Sequence, residues 1–228
     1  MSRHTFPPAA VLAAALLGAS MRLCAADLSL QVLDRSGRPL PDAVVLLDSS
    51  LPGARPLPKA EYLIAQEKMK FVPALSVVPV GAKVVFSNLD RWDHHVRGGQ
   101  MGPGGVYLDP SQGFALRLPG RVEGRAPSSA SQTFVQPGPQ LLGCHLHGSM
   151  RGHVYVSDSP WAAVSDAEGR LSFSGLPEGA ARLRVWHPDQ LLDGQVQNIQ
   201  LGAAANSLSL PTQIVPRRAA AAPSAQPY

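Results

Sequence analysis

Apolar and polar residues alternate with a period of two along most of this chain, in short runs broken by Gly and Pro. The clearest are "LSLQVLD" at 28–34, "AVVLLD" at 43–48, "AKVVFSN" at 82–88, "FALRL" at 114–118, "HVYVSD" at 153–158, "RLSFSGL" at 170–176 and "ARLRVWH" at 181–187. Alternation sends successive side chains to opposite faces, so each run predicts a strand. Short strands with turn signals every ten residues or so imply an all-β sandwich. The pattern allows one exception, about a turn of helix around Lys59 to Gln66.

Segments 98–113 ("GGQMGPGGVYLDPSQG") and 119–131 ("PGRVEGRAPSSAS") are rich in Gly, Pro and Ser and are expected as long surface loops. The last twelve residues, 217–228, have no pattern that buries surface and are expected as a disordered tail. At the other end, Arg3 and His4 precede an apolar run from Ala9 to Ser20, and "CAAD" follows. That is the layout of a cleaved secretory signal over residues 1–26, with a run too short to span a bilayer. Leu23 is bulky where a lipid-attachment site at Cys24 would carry a small residue.

Composition narrows the function classes. Hydrophobic residues make up 45% of the 228, ordinary for a globular protein, and charged residues 16%. The net charge of +4 is scattered, with no basic cluster interleaved with aromatics, which sets nucleic-acid binding aside. Cleavage after Ala26 would remove Cys24 and leave Cys144 as the sole thiol in an oxidising compartment. A lone thiol cannot staple the fold, so Cys144 must be buried or metal-bound to persist.

Cys144 sits in "LLGCHLHGSMRGHVYV", residues 141–156, which gathers one Cys, three His and one Met within ten residues. Its C-x-x-H-x-x-M spacing gives Cys144, His147 and Met150. Upstream, "VPVGAKVVFSNLD" leads to "HHV", with Asn88 six residues before His94. These features, with "FVQPGPQLLGC" as a strand running into the cysteine, resemble the cupredoxins, the small blue-copper sandwich proteins. The Asn-to-His spacing is similar to that of plastocyanin-like members and the ligand loop to that of amicyanin-like ones. The exported, methylamine-utilisation-like cupredoxins are the closest resemblance. The chain departs from their usual pattern at His145, where Asn is common, in "GSM", and in its long 98–113 segment.

The resemblance implies a cupredoxin-like Greek-key β-sandwich holding one type 1 copper through His94, Cys144, His147 and Met150. A thiolate, two imidazoles and a weak thioether suit an ion that alternates between two oxidation states. Of His94 and His95 only one faces the metal, since neighbours on a strand point oppositely. The match to a His-Asn-Val triplet selects His94, and His95 takes the Asn role of fixing the ligand loop; it becomes the ligand if the register slips. His145 is expected at the surface in an electron-exchange patch, His187 as a structural turn residue, Met69 in the core and Met101 in a loop. Plain burial of Cys144 and Met150 as core residues is the bland alternative.

"VLDRSGRPLPDAVVLL" (32–47) and "SDAEGRLSFSGLPEGAARLRVWHP" (165–188) together resemble a transthyretin-like or carboxypeptidase-regulatory-like sandwich split in two. The expected domains are therefore a leader (1–26), the first strands of an accessory sandwich (27–49), an inserted cupredoxin domain (50–158), the rest of the accessory sandwich (159–216) and the tail (217–228). The alternative pairs the N-terminal strands with the central domain. The function expected is a periplasmic, non-enzymatic carrier of single electrons between transient redox protein partners, with no membrane span. Competing readings are a non-redox copper or zinc carrier, and an envelope recognition module with an accessory metal site. A catalytic copper enzyme would need further histidines in paired spacings that His95, His153 and His187 do not form.

Overall fold

A computed structural model describes residues 25–51, 58–59, 61–191, 194, 196–203 and 205–217. Residues 1–24 of the expected leader and 218–228 of the expected tail lie outside the described residues. The chain opens with β1 (Ala25–Leu33) and β2 (Val44–Ser49). A central block follows: β3 (Tyr62–Glu67), β4 (Lys70–Val72), β5 (Leu75–Pro79), β6 (Ala82–Asn88), β7 (His94–Gly102), β8 (Val106–Tyr107), β9 (Phe114–Leu118), β10 (Ser128–Phe134), β11 (Gly138–Cys144) and β12 (Arg151–Ser157). The described chain closes with β13 (Trp161–Val164), β14 (Arg170–Pro177), β15 (Gly179–Trp186), β16 (Gln197–Leu201) and β17 (Asn206–Pro211). The protein is all-β; among the described residues there are two single-turn 3₁₀ segments, and no helix is long and apolar enough to cross a membrane.

Four sheets stack in layers. The orders are β14-β1-β17, β13-β2-β15-β16, β5-β12-β11-β7-β8 with β9 beside β7, and β10-β6-β3-β4. One core lies between the first two sheets and includes Leu30, Val45, Leu47, Trp161, Phe173 and Leu183. Another lies between the last two, around Ile64, Phe71, Phe86, Val96, Leu142 and Val154. A third, smaller cluster joins the pairs: Val44, Leu46 and Trp186 on one side meet Tyr155 on the other, with Leu75, Val77 and Met101 beside them. β2 is thus covered on both faces, which is why Val44 to Leu47 are all buried and its sequence is continuously apolar. β1 and β2 pair with β13, β14, β15 and β17, not with the central strands.

Three expectations are corrected. The helix around Lys59 to Gln66 is instead β3, which pairs in parallel with β6 from Tyr62↔Val84 to Gln66↔Asn88. Its helix formers are overridden by a period-two burial that points Ile64 and Gln66 inward. Segment 98–113 is not all loop, because β7 continues through Gly102 and carries Met101 into the joining cluster. Gly98 is in this strand because a Cβ there would collide with the Phe114 ring. Segment 119–131 gives way at Ser128 to β10, a mostly polar strand with Phe134 buried at its end, which pairs with the whole of β6.

Candidate metal centre

Two places in the chain converge at one end of the central sandwich. His94 is the first residue of β7, and Cys144 is the last of β11. The register Cys144↔Val96 sets them side by side, and β9 flanks the histidine through His94↔Leu118. Alternation along β7 buries His94 and Val96 and leaves His95 half-buried on the other face. His147 and Met150 lie in the turn from β11 to β12. The Met150 N–H donates to the His147 carbonyl at 2.9 Å, and the Cys144 N–H to the Met150 carbonyl at 3.3 Å, closing the turn on itself. Cys144 and Met150 both join the central core cluster.

The donor atoms form a compact triangle. His94 Nδ1 and His147 Nδ1 are 3.1 Å apart, and the Cys144 Sγ lies 3.8 Å from the first and 3.5 Å from the second. A point in their plane lies about 2.0 Å from all three, close to the metal–nitrogen and metal–sulfur lengths of ~2.0–2.3 Å. The three donors are therefore spaced to hold one metal ion between them. Among the described residues, His94, Cys144 and His147 are the single group of three or more His, Cys, Asp or Glu donors this close together.

A surrounding layer orients these ligands. The His94 Nε2 is 2.9 Å from Asp90 Oδ2, which leaves Nδ1 to face the sulfur. Asp90 also accepts the N–H groups of Lys68 at 2.7 Å and Met69 at 2.9 Å, two turn residues with positive φ. Burial acts to raise the Asp90 carboxyl, but the Met69 N–H, His94 and the Lys68 N–H outweigh it and hold it below the usual range. Asn88, fully buried, fixes the intervening loop. Its Nδ2 donates to the carbonyls of Trp92 (2.8 Å), Leu118 (3.0 Å) and Pro119 (3.1 Å), and its Oδ1 accepts the Asp90 N–H (2.9 Å). The His95 N–H donates to Cys144 Sγ at 3.5 Å.

Sequence reasoning missed Asp90. The signal was present as Asp four residues before His, although Asp93 stood closer in sequence and binds elsewhere, to Arg117 and the Gly120 N–H. The role expected of the His95 ring is also corrected: its backbone contacts the sulfur, while the ring stacks on exposed His145 at 6.2 Å and 12°. His187 is a turn residue, with Nε2 3.2 Å from the Pro41 carbonyl and Nδ1 accepting the Asp189 N–H. Trp161 and Trp186 are buried and offer no exposed aromatic platform.

No family model matches the chain. No curated protein matches it. Solved structures do. Amicyanin from Paracoccus versutus is 21% identical over 49% of this chain and 97% of its own, with a TM-score of 0.34. An amicyanin variant in the Cu(I) form is 26% identical over 43% of this chain and 83% of its own, TM-score 0.32. A copper-containing nitrite reductase from Thermus scotoductus SA-01 is 21% identical over 50% of this chain, with a TM-score of 0.33; the match spans 25% of that protein. Each of these likenesses extends over half of this chain or less.

Proposed function

We propose that the protein is an exported, periplasmic type 1 copper protein of the cupredoxin kind that carries single electrons between transient redox protein partners and performs no bond-making chemistry. His94, Cys144 and His147 would hold the ion, with Met150 as the fourth, thioether ligand. The donor triangle carries the proposal: two imidazole nitrogens and one sulfur, about 2.0 Å from a common point in their own plane. Two imidazoles and a thiolate with a methionine in the same turn are the donor chemistry of electron-transfer copper, whereas zinc sites take Cys, His and carboxylate donors and not a thioether. Copper bound there would supply a one-electron couple. The chain's own residues fix the ligands before any ion arrives. Asp90 sets the His94 tautomer, the His95 N–H holds the sulfur, and Asn88 holds the loop between them.

The accessory sheets act as a host, with residues 50–158 as an inserted cupredoxin domain between residues 27–49 and 159–216. Residues 50–158 expressed alone should fold and bind copper; failure to fold would favour one merged unit. The electron-carrying role is tested by voltammetry of the copper-loaded protein on a modified electrode. A reversible one-electron wave with fast exchange supports it. A metal that binds without a reversible couple would move the function to metal carriage.

A further inference from the structure

Behind the metal centre, on the face of the β5-β12-β11-β7-β8 sheet that meets the accessory sheets further along at Met101 and Tyr155, three strands bring two arginines into one row with a glycine between them. Gly143 of β11 pairs with Arg97 of β7 on one side and with Arg151 of β12 on the other. Directly opposed residues of antiparallel strands share a face. Two strand spacings set the backbones of the arginines roughly 9–10 Å apart. With no side chain at Gly143, the row is a slot. Tyr107 closes one wall: its hydroxyl donates to the Arg97 carbonyl at 3.3 Å and lies 3.3 Å from where a Cβ at position 143 would sit. The slot opens into a cavity of about 220 Å³ whose lining includes Arg97, Tyr107, Gly143 and Arg151 and, on the side of the metal centre, Cys144 and Met150.

Like charges across a sheet repel, and other strand arginines of this protein are matched by carboxylates. Arg117 meets Asp93, Arg170 meets Asp166 and Glu168, and Arg184 meets Asp48 and Asp158. Among the described residues neither Arg97 nor Arg151 forms an ion pair, although both are exposed. Burial pushes the Tyr107 phenol up, and the charges that act against this are the same two guanidiniums. Two unmatched cationic forks around an open slot are a receptor that lacks its anion.

We propose that the slot is a binding site for a small oxyanion, carboxylate or phosphate, gripped by Arg97 and Arg151 above Gly143 with the Tyr107 hydroxyl at its edge. Gly143 precedes Cys144, so the bound anion lies against the back of the metal centre. The site is made by strand register and needs no metal, which separates its fate from that of the copper assignment.

The test is a nuclear magnetic resonance titration of metal-free protein with inorganic phosphate and, separately, succinate, at constant ionic strength in sodium chloride. The expected result is saturable shifts of the Gly143 amide and the Arg97 and Arg151 Nε–H signals with at least one of the two. Saturation by phosphate alone or succinate alone assigns the oxyanion class, and saturation by both assigns the shared chemistry. The double variant R97Q/R151Q should weaken binding about tenfold or more, consistent with losing two charge-assisted forks. Gly143→Ala should also weaken it by filling the slot with charge unchanged, while Arg117→Gln should leave it intact. Non-saturating shifts with both anions, shifts reproduced by chloride, or affinity equal in all variants would overturn the proposal.

Discussion

Replacing Asn88 with Ala removes one side chain and unties three parts of the metal centre at once. Asn88 is fully buried at the end of β6, with its amide nitrogen against the carbonyls of Trp92, Leu118 and Pro119 and its oxygen on the Asp90 N–H. An amide has two N–H hydrogens, so one is shared among the three acceptors. A buried hydrogen bond contributes about 0.5–1.5 kcal/mol net, and each buried group left unpartnered costs about 1–3 kcal/mol. Loss of two donor bonds and one acceptor bond costs about 1.5–4.5 kcal/mol, and the unpartnered Asp90 N–H places the loss in the upper part of that range, about 3–4 kcal/mol. For a chain of this size that lowers Tm by about 6–15 °C. The loop from Asp90 to Asp93 delivers His94, so metal affinity should fall about tenfold as well, the lower end for an outer-shell partner. Urea unfolding of the metal-free protein followed by circular dichroism measures the first effect, and competition with a chelator measures the second. Asn88→Asp separates donor from acceptor: a carboxylate keeps the bond from the Asp90 N–H but faces three carbonyls, so it should be at least as damaging as Ala. An Asp variant as stable as the parent, or an Ala variant within about 0.5 kcal/mol of it, would refute the argument.

Other outcomes follow from separate contacts. A Cβ on Gly120 would run into the backbone carbonyl of Arg91, which cannot swing aside as a side chain can, so Gly120→Ala should cost more than about 2 kcal/mol, measured by urea midpoint. Gln66 is fully buried and neither atom of its amide has a partner, so Gln66→Met should stabilise the protein by about 1–3 kcal/mol; a loss of stability in the same assay would show that the amide is satisfied. His153 packs beside Trp186 where the sandwiches join, and burial lowers its pKa from 6.5 to about 4, with Asp189 opposing and Arg151, His187 and Arg217 assisting the shift. Because the folded pKa is depressed, its contribution is fully present above about pH 6.5 and is lost as pH falls toward 4, about 3 kcal/mol in all and about 2–3 kcal/mol by pH 4.5. Urea midpoints at pH 7.5 and 4.5 should converge by that amount in His153→Gln.

The strands that a sequence reader finds are those whose buried positions are apolar. β6 alternates as buried Ala82, Val84 and Phe86 against Lys83 and half-buried Val85, and its pattern is visible without a structure. β10 has the same period, but Ser128, Ala130, Gln132 and Thr133 give no apolar contrast until Phe134, so only pairing with β6 defines it. β3 was hidden for the opposite reason: its residues are good helix formers, and the parallel partner that makes it a strand lies some twenty positions away. The Gly-rich start of segment 98–113 reads as loop because Gly98 carries no pattern, yet its missing side chain admits the Phe114 ring.

At the metal centre the spacing of Cys144, His147 and Met150 was legible because one short turn holds all three. Strand alternation left only one of His94 and His95 to face the metal, and the match to a His-Asn-Val triplet selected His94. Asp90 was obscured because its partners include backbone groups of Lys68 and Met69, which only the β3–β4 turn brings near. The row of Arg97, Gly143 and Arg151 was invisible for the same reason, since register across three strands is not written in any one of them.

The type 1 assignment depends most directly on what Cys144 does to a bound copper ion. We would record visible absorption and electron paramagnetic resonance of the protein loaded with Cu(II), beside Cys144→Ser. An intense blue thiolate-to-copper band with narrow hyperfine splitting, absent from the variant, is the expected result. A colourless protein, or a copper signal that survives the substitution, would contradict the type 1 assignment and with it the role in electron transfer.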